Sequence, residues 1–411
     1  MVELGTRTFW RGTIALVIGS IMIFANVYVT QPLLPMMVEE FGISALQASA
    51  SFTVTTLTLA VSLLIYGPLS DAIGRKGLIV STMIGLTLTT FALSLVPDYQ
   101  SLLLLRALQG FFLAGLPAIA VAYLGEEYTP EALLVAVGLY ISGNSLGGIS
   151  GRLVGGFLGE HFGQSQTFAV MALISLVFMI IFIVLLPSSQ QFEAKPLRIN
   201  IIVTNMKNHL CNRYLLIPYL IGGFSFFIFI NQYSYITFRL EAAPYNLSAA
   251  QIGLLFLTYL AGTVGSALSG RLAALMPQPH IMILGTSIIM LGSLVTLSTN
   301  LTLIITGLAI NSFGFFLCHS TTSSFVSRHA TFAKASASSL YLLFYYLGAS
   351  IGGYYLDPFW RFWGWPGVIF GSWVVLALVV VAEVSLLRSK GLRDNVQSRN
   401  KNTKQAAVLK S

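Results

Sequence analysis

Twelve stretches of about 20 mainly apolar residues occupy most of the chain, and they constrain its fold more than any other feature. An apolar helix of about this length crosses the hydrocarbon core of a bilayer. Only 9% of the 411 residues are charged, whereas 55% are hydrophobic. So few charges cannot cover the surface of a soluble protein of this length. The sequence therefore predicts an all-α integral membrane protein and excludes a soluble enzyme.

The predicted spans form two sets of six on either side of a polar stretch at 187–213. The first set lies at about 12–36, 48–68, 77–96, 100–124, 132–158 and 166–186. The second set lies at about 214–238, 250–275, 280–298, 301–327, 334–356 and 365–387. This predicts an N-terminal half (1–186), a linker (187–213), a C-terminal half (214–387) and a basic tail (388–411). The linker is expected to be either a short amphipathic helix on the membrane surface or a flexible connection.

The positions of the basic residues predict the orientation of the chain. Of the 22 Lys and Arg residues, 18 lie in the two tails or in connections on the side that carries the termini. Such residues are retained on the cytoplasmic side of a membrane. We therefore predict that both termini are cytoplasmic, and we read the net charge of +8 as topological rather than as a nucleic-acid-binding surface.

The two predicted halves share an internal repeat. A shift of 201 residues places Tyr140, Gly147, Gly151 and Gly163 on Tyr341, Gly348, Gly352 and Gly364. A shift of 204 residues aligns Ser44–Gln47 with Ser248–Gln251, each just before the second span of its half. Duplicated halves are typical of transporters that move around a central site.

Three motifs indicate a family. The loop after the second span reads Gly67-Pro-Leu69-Ser-Asp71-Ala-Ile-Gly74-Arg75-Lys76, and it resembles the G-x-L-x-D-x-x-G-R-K signature of the major facilitator superfamily. The segment Leu102–Gly110 resembles the L-x-x-x-R-x-x-Q-G motif of the same superfamily. The third motif, in the fifth span, is typical of its drug–proton antiporters, but Arg152 replaces the motif's proline. Its matching glycines are Gly138, Gly147, Gly151, Gly155 and Gly156.

The chain thus resembles the twelve-span, drug–proton-antiporter-like branch of this superfamily, and within it the YnfM-type inner-membrane exporters. The resemblance implies two pseudo-symmetric six-helix halves in a bacterial inner membrane. It also implies alternating-access export of a small organic compound or drug by a monomer that contacts lipid and uses protons as the coupling ion. It implies neither a metal nor another cofactor.

The resemblance implies a gate at the loop motif. Arg75 is expected to pair with Glu126 or Glu127, and Asp71 is expected near the start of the eleventh span. The alternative is that these charges only fix topology. The predicted gate consists of Gly67, Asp71, Gly74, Arg75, Lys76, Glu126 and Glu127.

Glycine recurs at every fourth position along the fifth span, so that one helix face carries almost no side chains. Such a face lets a neighbouring helix approach closely. We predict either ordinary tight packing or a sliding seam between the two halves, with glycines of the eleventh span as the other partner. The residues concerned are Gly143, Gly147, Gly151, Gly155, Gly156, Gly348 and Gly352.

Ionisable side chains inside a span are candidates for function. The sequence indicates only Arg106, Arg152 and His319 there, with no buried acid. The arginines are expected either to bind an organic anion, which would favour an importer or exchanger, or to serve structure by bonding carbonyls near the first-span prolines. His319 is either a proton carrier or a packed histidine. The other candidates along a substrate or proton path are Asn26, Thr30, Gln31, Gln109, Asn144, Asn231 and Asn311.

One departure from the family pattern concerns the proton. Many drug–proton antiporters carry a buried acid in the first span, whereas this chain has Asn26 and Gln31 there. The proton route is therefore not assigned by the sequence. A membrane enzyme or receptor is a third hypothesis, but no zinc-protease or phosphate-loop motif supports it.

Overall fold

The computed structural model describes residues 1–194 and 199–408, with side chains described except at 134, 199, 274, 334, 335 and 389–408. Its N-terminal helices are α1 (Arg7–Tyr28), α2 (Leu34–Phe41), α3 (Ala45–Ile73), α4 (Arg75–Leu93), α5 (Tyr99–Leu113), α6 (Gly115–Glu127) and α7 (Pro130–Leu185). The later helices are α8 (Ile199–Cys211), α9 (Arg213–Glu241), α10 (Ala249–Leu255), α11 (Tyr259–Leu275), α12 (Gln278–Val295), α13 (Leu301–His329) and α14 (Lys334–Val408). The predicted all-α class is confirmed.

Ten helical segments in the described part of the chain are long and apolar enough to cross a membrane. Two of them far exceed the bilayer, because α7 has 56 residues and α14 has 75. Each is interrupted by a glycine with positive φ, Gly163 at 80° and Gly364 at 57°. This backbone conformation favours glycine, and it breaks the helix where the sequence predicts a connection between two spans.

Prolines explain two further interruptions. The first predicted span is divided into α1, a short 3₁₀ turn (Gln31–Leu33) and α2. Pro32 and Pro35 have no N–H group, so the ladder of helical hydrogen bonds is broken there. The fourth predicted span is divided between α5 and α6, three residues before Pro117. These breaks leave backbone carbonyls inside the bundle that need other donors.

The internal repeat is visible in the structure. Ser44 and Gln47 form a capping box at the start of α3, and Ser248 and Gln251 form the same box at the start of α10. Each box satisfies N–H groups that a helix leaves unpaired at its beginning.

The glycine stripe packs α7 against α1 within the N-terminal half. A methyl group at Gly147 would lie 2.6 Å from the Ile21 carbonyl oxygen, and one at Gly143 would lie 3.0 Å from that of Val17. Gly151 and Gly155 face the carbonyl oxygens of Ala25 and Val29 in the same way, whereas Gly159 faces the Leu33 side chain.

The hypothesis of a seam between the halves is therefore wrong for this stripe. Its proposed partners Gly348 and Gly352 instead face Gly223 and Phe227 of α9, within the C-terminal half. Glycine at every fourth position predicts a helix face without side chains, but this pattern does not predict which helix packs on that face. Gly156 is the exception, because it approaches Ala249 and Gly253 of the other half.

The linker contains helix α8, so it is helical, as the first of the two predicted alternatives requires; its position at the membrane surface stays a prediction. His209 of this helix stacks on Phe332, with ring centroids 4.4 Å apart, and its Nε2 lies 3.3 Å from the Ala333 carbonyl oxygen. Two of the basic linker residues, Lys195 and Arg198, lie outside the described residues. The same holds for the side chains of the predicted basic tail beyond Arg388.

Candidate functional site

Aromatic rings from both halves belong to one buried core. Tyr345 of α14 stacks on Phe226 of α9 with ring centroids 3.7 Å apart, and both rings belong to the same buried core as Tyr28 of α1. Tyr28 in turn stacks on Phe52 of α3 at 5.8 Å. We call this group the aromatic cluster. Its members are Tyr28, Phe52, Tyr140, Phe226, Phe315, His319, Tyr341, Tyr345 and Tyr346.

Polar atoms interrupt these aromatic faces. The Tyr341 hydroxyl lies 2.8 Å from Nδ1 of His319, whose half-buried ring lies 4.7 Å from that of Tyr345. In the described part of the chain, the hydroxyls of Tyr140, Tyr345 and Tyr346 have no hydrogen-bond partner, while these side chains remain 3%, 9% and 7% exposed. Apolar walls with a few convergent polar groups are typical of sites for small organic molecules.

Arg106 lies inside the N-terminal half with 0% exposed surface. Its Nη1 and Nη2 donate to the carbonyl oxygens of Asn26 and Val27 at 3.1 and 3.2 Å. The helix break at the first-span prolines leaves these carbonyls without their usual partners. The remaining donations go to the Ser51 carbonyl, the Gln109 side chain and the Thr30 hydroxyl.

These contacts occupy all five N–H donors of the Arg106 guanidinium. The hypothesis that Arg106 binds an organic anion is therefore wrong for this conformation, because no donor is left for a ligand. The sequence left two roles open for Arg106, and the structure shows the structural one, in which the arginine bonds backbone carbonyls near the first-span prolines.

Arg152 lies where the two halves touch. Its guanidinium carbon lies 3.8 Å from the ring centroid of Tyr28 in the N-terminal half. The rings of Phe256 and Tyr259, from the other half, are 4.5 and 4.6 Å away. Its Nε donates to Gln31 at 2.7 Å. A guanidinium enclosed by rings is stabilised by cation–π attraction, so this arginine joins the halves without a carboxylate partner in the described chain.

The uncharged candidates do not gather at one site. Asn26 and Gln109 share a buried network with Thr90, in which Gln109 donates to Thr90 at 2.7 Å and Thr90 to Asn26 at 3.0 Å. A corresponding network in the other half joins Asn311 to Gln232 at 2.7 Å and to Ser293 at 3.0 Å. Each network lies within a single half. The networks therefore hold the helices of that half together and do not line the aromatic cluster.

The last candidates also have local partners. Asn231 donates to the carbonyl oxygens of Phe227 and Ala349, which joins α9 to α14. Asn144 accepts a hydrogen bond from Ser20 of α1. Among the predicted candidates, only His319 belongs to the aromatic cluster, while Gln31 and Arg152 lie at its edge.

The loop motif forms an ion-pair cluster at the end of the bundle that carries the linker. Of the two predicted partners of Arg75, the structure shows Glu126, at 2.6 Å. Asp71 also pairs with Arg75, at 2.5 Å, and its expected position near the start of the eleventh span stays a prediction. Gly74 has φ of 110°, which requires glycine at this position.

Two gate residues hold the start of the linker. Glu127 accepts from the backbone N–H groups of Gln190 and Gln191 at 2.7 and 2.9 Å. Lys76 donates to the Leu186 carbonyl oxygen at 2.5 Å. A methyl group at Gly67 would meet nothing within 4 Å, so this glycine is not required by packing in this conformation.

The expectation that no acid is buried is wrong. Glu383 of α14 has 0% exposed surface and accepts a hydrogen bond from Thr286 of α12 at 2.8 Å. Asp357, earlier in α14, is 6% exposed and pairs with Arg361 at 2.7 Å. Glu383 lies only five residues before Arg388, so in the sequence it resembles the polar end of a span. Its burial depends on helices that are distant in sequence, which is why the sequence does not reveal it.

The described part of the chain has ten helices that are long and apolar enough to cross a membrane, as a multi-pass membrane protein requires. The Major Facilitator Superfamily model matches residues 16–353, and the chain belongs to this superfamily. It is 38% identical over 368 residues to the uncharacterized MFS-type transporter YybF of Bacillus subtilis (90% of this chain, 91% of that protein). It is 37% identical over 379 residues to the inner membrane transport protein YnfM of Escherichia coli (92% and 90%).

Other similarities are more distant. The multi-drug resistance efflux pump PmrA of Streptococcus pneumoniae is 29% identical over 168 residues, which is 40% of this chain and 42% of that protein. The crystal structure of the peptide transporter POT in complex with sulfate has a TM-score of 0.75 at 16% identity, covering 92% of this chain and 94% of that one. The latter similarity concerns the fold alone.

Proposed function

We propose that the protein exports a small organic compound across a bacterial inner membrane in exchange for protons, by alternating access. The observation that carries this proposal is the aromatic cluster, which combines stacked rings from both halves with three unpartnered hydroxyls and a half-buried histidine. These groups suit an amphipathic aromatic molecule. Partial similarity to PmrA, an efflux pump, supports export rather than uptake.

The proposed topology has twelve spans in two halves, 1–186 and 214–387, with a linker at 187–213 and both termini cytoplasmic. It is supported by the breaks at Gly163 and Gly364, which divide α7 and α14 into parts of membrane-spanning length. The distribution of basic residues supports the orientation. We propose that a monomer, surrounded by lipid, is the working unit.

The Arg75 cluster is the proposed cytoplasmic gate. Arg75 joins Asp71 to Glu126, so α3, α4 and α6 are held together at this end. Asp71→Ala should reduce export by up to about fivefold without preventing membrane insertion, because an ion pair whose carboxylate is 46% exposed contributes about 1 kcal/mol at most. Full export by this variant would exclude the gate.

A second candidate function is transport of an organic anion. Arg152 supports it, because this buried guanidinium has no carboxylate within salt-bridge distance among the described residues and bonds only to uncharged groups, namely Gln31, the Gly148 carbonyl and Tyr259. Arg106 does not contribute, since its donors are occupied. An aromatic carboxylate fits this site better than an aliphatic one, because three rings surround the guanidinium.

Inverted membrane vesicles distinguish the two functions. We expect accumulation of a fluorescent aromatic cation such as ethidium when the vesicle interior is acidified, and loss of this accumulation when an ionophore dissipates the gradient. Accumulation of radiolabelled benzoate, lost in Arg152→Met, would favour the organic-anion alternative. If the uptake of every transported probe were the same with and without the proton gradient, proton exchange would be contradicted.

A further inference from the structure

A carboxyl group without a cationic partner lies inside the C-terminal half. Glu383 of α14 is fully buried, and one of its oxygens, Oε1, accepts from the Thr286 hydroxyl at 2.8 Å. The Cys318 sulfur lies 3.6 Å from the same oxygen. The second oxygen, Oε2, is buried and has no hydrogen-bond partner in the described part of the chain.

Among the residues whose side chains are described, no cationic group contacts Glu383. The nearest polar groups are Thr286 from α12, Cys318 and Thr322 from α13, and Ser225 from α9. Cys318 is the titratable group that faces the carboxyl. Further toward the helix ends, the rings of Tyr214 (α9) and His329 (α13) pack on Phe325 of the same side-chain cluster.

An ionised carboxylate in this position would be buried with one oxygen unsolvated. The charged form loses far more solvation on burial than the neutral acid does, and one hydroxyl and one thiol donor do not replace a shell of water. The protonated form therefore fits these surroundings, and the ionised form does not.

We propose that Glu383 is a proton-binding site, which holds a proton in this conformation and releases it to water when the helices around it rearrange. In release the carboxyl O–H bond breaks, the electron pair stays on the carboxylate and the proton passes to water. Coupling of this step to export rests on the proposed function; binding of the proton does not.

The arrangement of α13 links this site to the aromatic cluster. Cys318 contacts the carboxyl group, while the next residue, His319, faces Tyr341 and Tyr345. Movement of α13 when a substrate enters the aromatic cluster would change the surroundings of Glu383 at the same time. Helix α13 can therefore couple proton release at Glu383 to substrate binding at the aromatic cluster.

Asp357 provides a matched control within the same helix. It is 6% exposed, but its carboxylate pairs with Arg361 at 2.7 Å. Asp357 therefore has the cationic partner that Glu383 lacks among the described residues.

Infrared difference spectroscopy of the full-length protein in lipid vesicles, without substrate, tests proton binding directly. At neutral pH we expect a carbonyl-stretch band of a protonated carboxylic acid that shifts in heavy water, disappears in Glu383→Gln and persists in Asp357→Asn. Thr286→Val keeps the acid and removes one hydrogen bond, so the band should move to higher frequency. Absence of the band in the wild-type protein, or its persistence in a folded Glu383→Gln variant, would overturn the proposal.

Transport in the same vesicles tests coupling separately. In Glu383→Gln, the ethidium accumulation driven by a pH gradient should fall at least about tenfold, while downhill ethidium exchange should be retained. Undiminished accumulation in this variant would overturn the coupling role. If the wild-type protein moves no probe in response to the gradient, the proposed function fails, whereas the infrared band still decides whether Glu383 binds a proton.

Discussion

Arg106→Lys is expected to destabilise the solubilised protein by about 3 kcal/mol or more and to abolish transport. The guanidinium donates five hydrogen bonds in a fixed plane, and two of its acceptors are carbonyls of the broken first-span helix. A lysine ammonium has three donors and cannot reproduce this geometry. Each buried acceptor left without a donor costs about 1–3 kcal/mol, so the penalties accumulate at the end of α1.

The buried thiol of Cys318 provides the measurement. In a Cys211→Ser background, a thiol-reactive fluorophore reports unfolding, because Cys211 is exposed and Cys318 is buried. Arg239→Lys is the control, since Arg239 also donates to two carbonyl oxygens, those of Thr296 and Ser298, but is only partly buried. A melting temperature of Arg106→Lys equal to or above that of Arg239→Lys would contradict the structural role of Arg106.

Gly147→Ala is expected to cost at least about 2 kcal/mol, although alanine is the better helix former. The added methyl group would lie 2.6 Å from the carbonyl oxygen and 2.8 Å from the Cα of Ile21. Backbone atoms of a packed helix cannot move aside as a flexible side chain can, so α1 and α7 must separate. Gly348→Ala should have a similar effect in the other half, where Gly348 faces the Gly223 backbone.

The same helix contains the control for this prediction. A methyl group at Gly138 would meet nothing within 4 Å, so Gly138→Ala should leave the melting temperature unchanged or raise it slightly. If Gly147→Ala and Gly138→Ala melted at the same temperature, close contact between α1 and α7 would not be a source of stability.

The sequence predicts the helices well, because about 20 consecutive apolar residues in a bilayer leave the backbone few alternatives. Observed bounds such as Leu301–His329 differ from the predicted 301–327 by only two residues. The breaks inside spans were less visible, because Pro32 and Pro117 indicate an interruption without defining its geometry.

The candidate site is less predictable, because its residues come together only through packing between distant segments. Glycine spacing in the fifth span defines a bare face, but its partner, α1, depends on how six helices associate. The buried environment of Glu383 is built by Thr286 of α12 and Cys318 of α13, which lie 97 and 65 residues earlier in the chain. One signal is present in the sequence: Tyr341 and Tyr345, four residues apart, share one face of a helix.

Alternating access requires the halves to separate at the end of the bundle opposite the linker. At that end Glu160, of the N-terminal half, accepts a hydrogen bond at 2.9 Å from the backbone N–H of Ala250, of the C-terminal half. Cysteines at these two positions would place a short, cleavable cross-link across the interface. Ser94 and Ser165, joined at 2.5 Å within the N-terminal half, offer a control pair that crosses no such interface.

The most direct measurement is therefore transport by the Glu160→Cys/Ala250→Cys variant in vesicles before cross-linking, after it and after cleavage of the link. We expect cross-linking to reduce gradient-driven ethidium accumulation to the background level and cleavage to restore it, while the linked Ser94→Cys/Ser165→Cys variant stays active. Undiminished accumulation by fully cross-linked Glu160→Cys/Ala250→Cys protein would contradict transport by separation of the two halves.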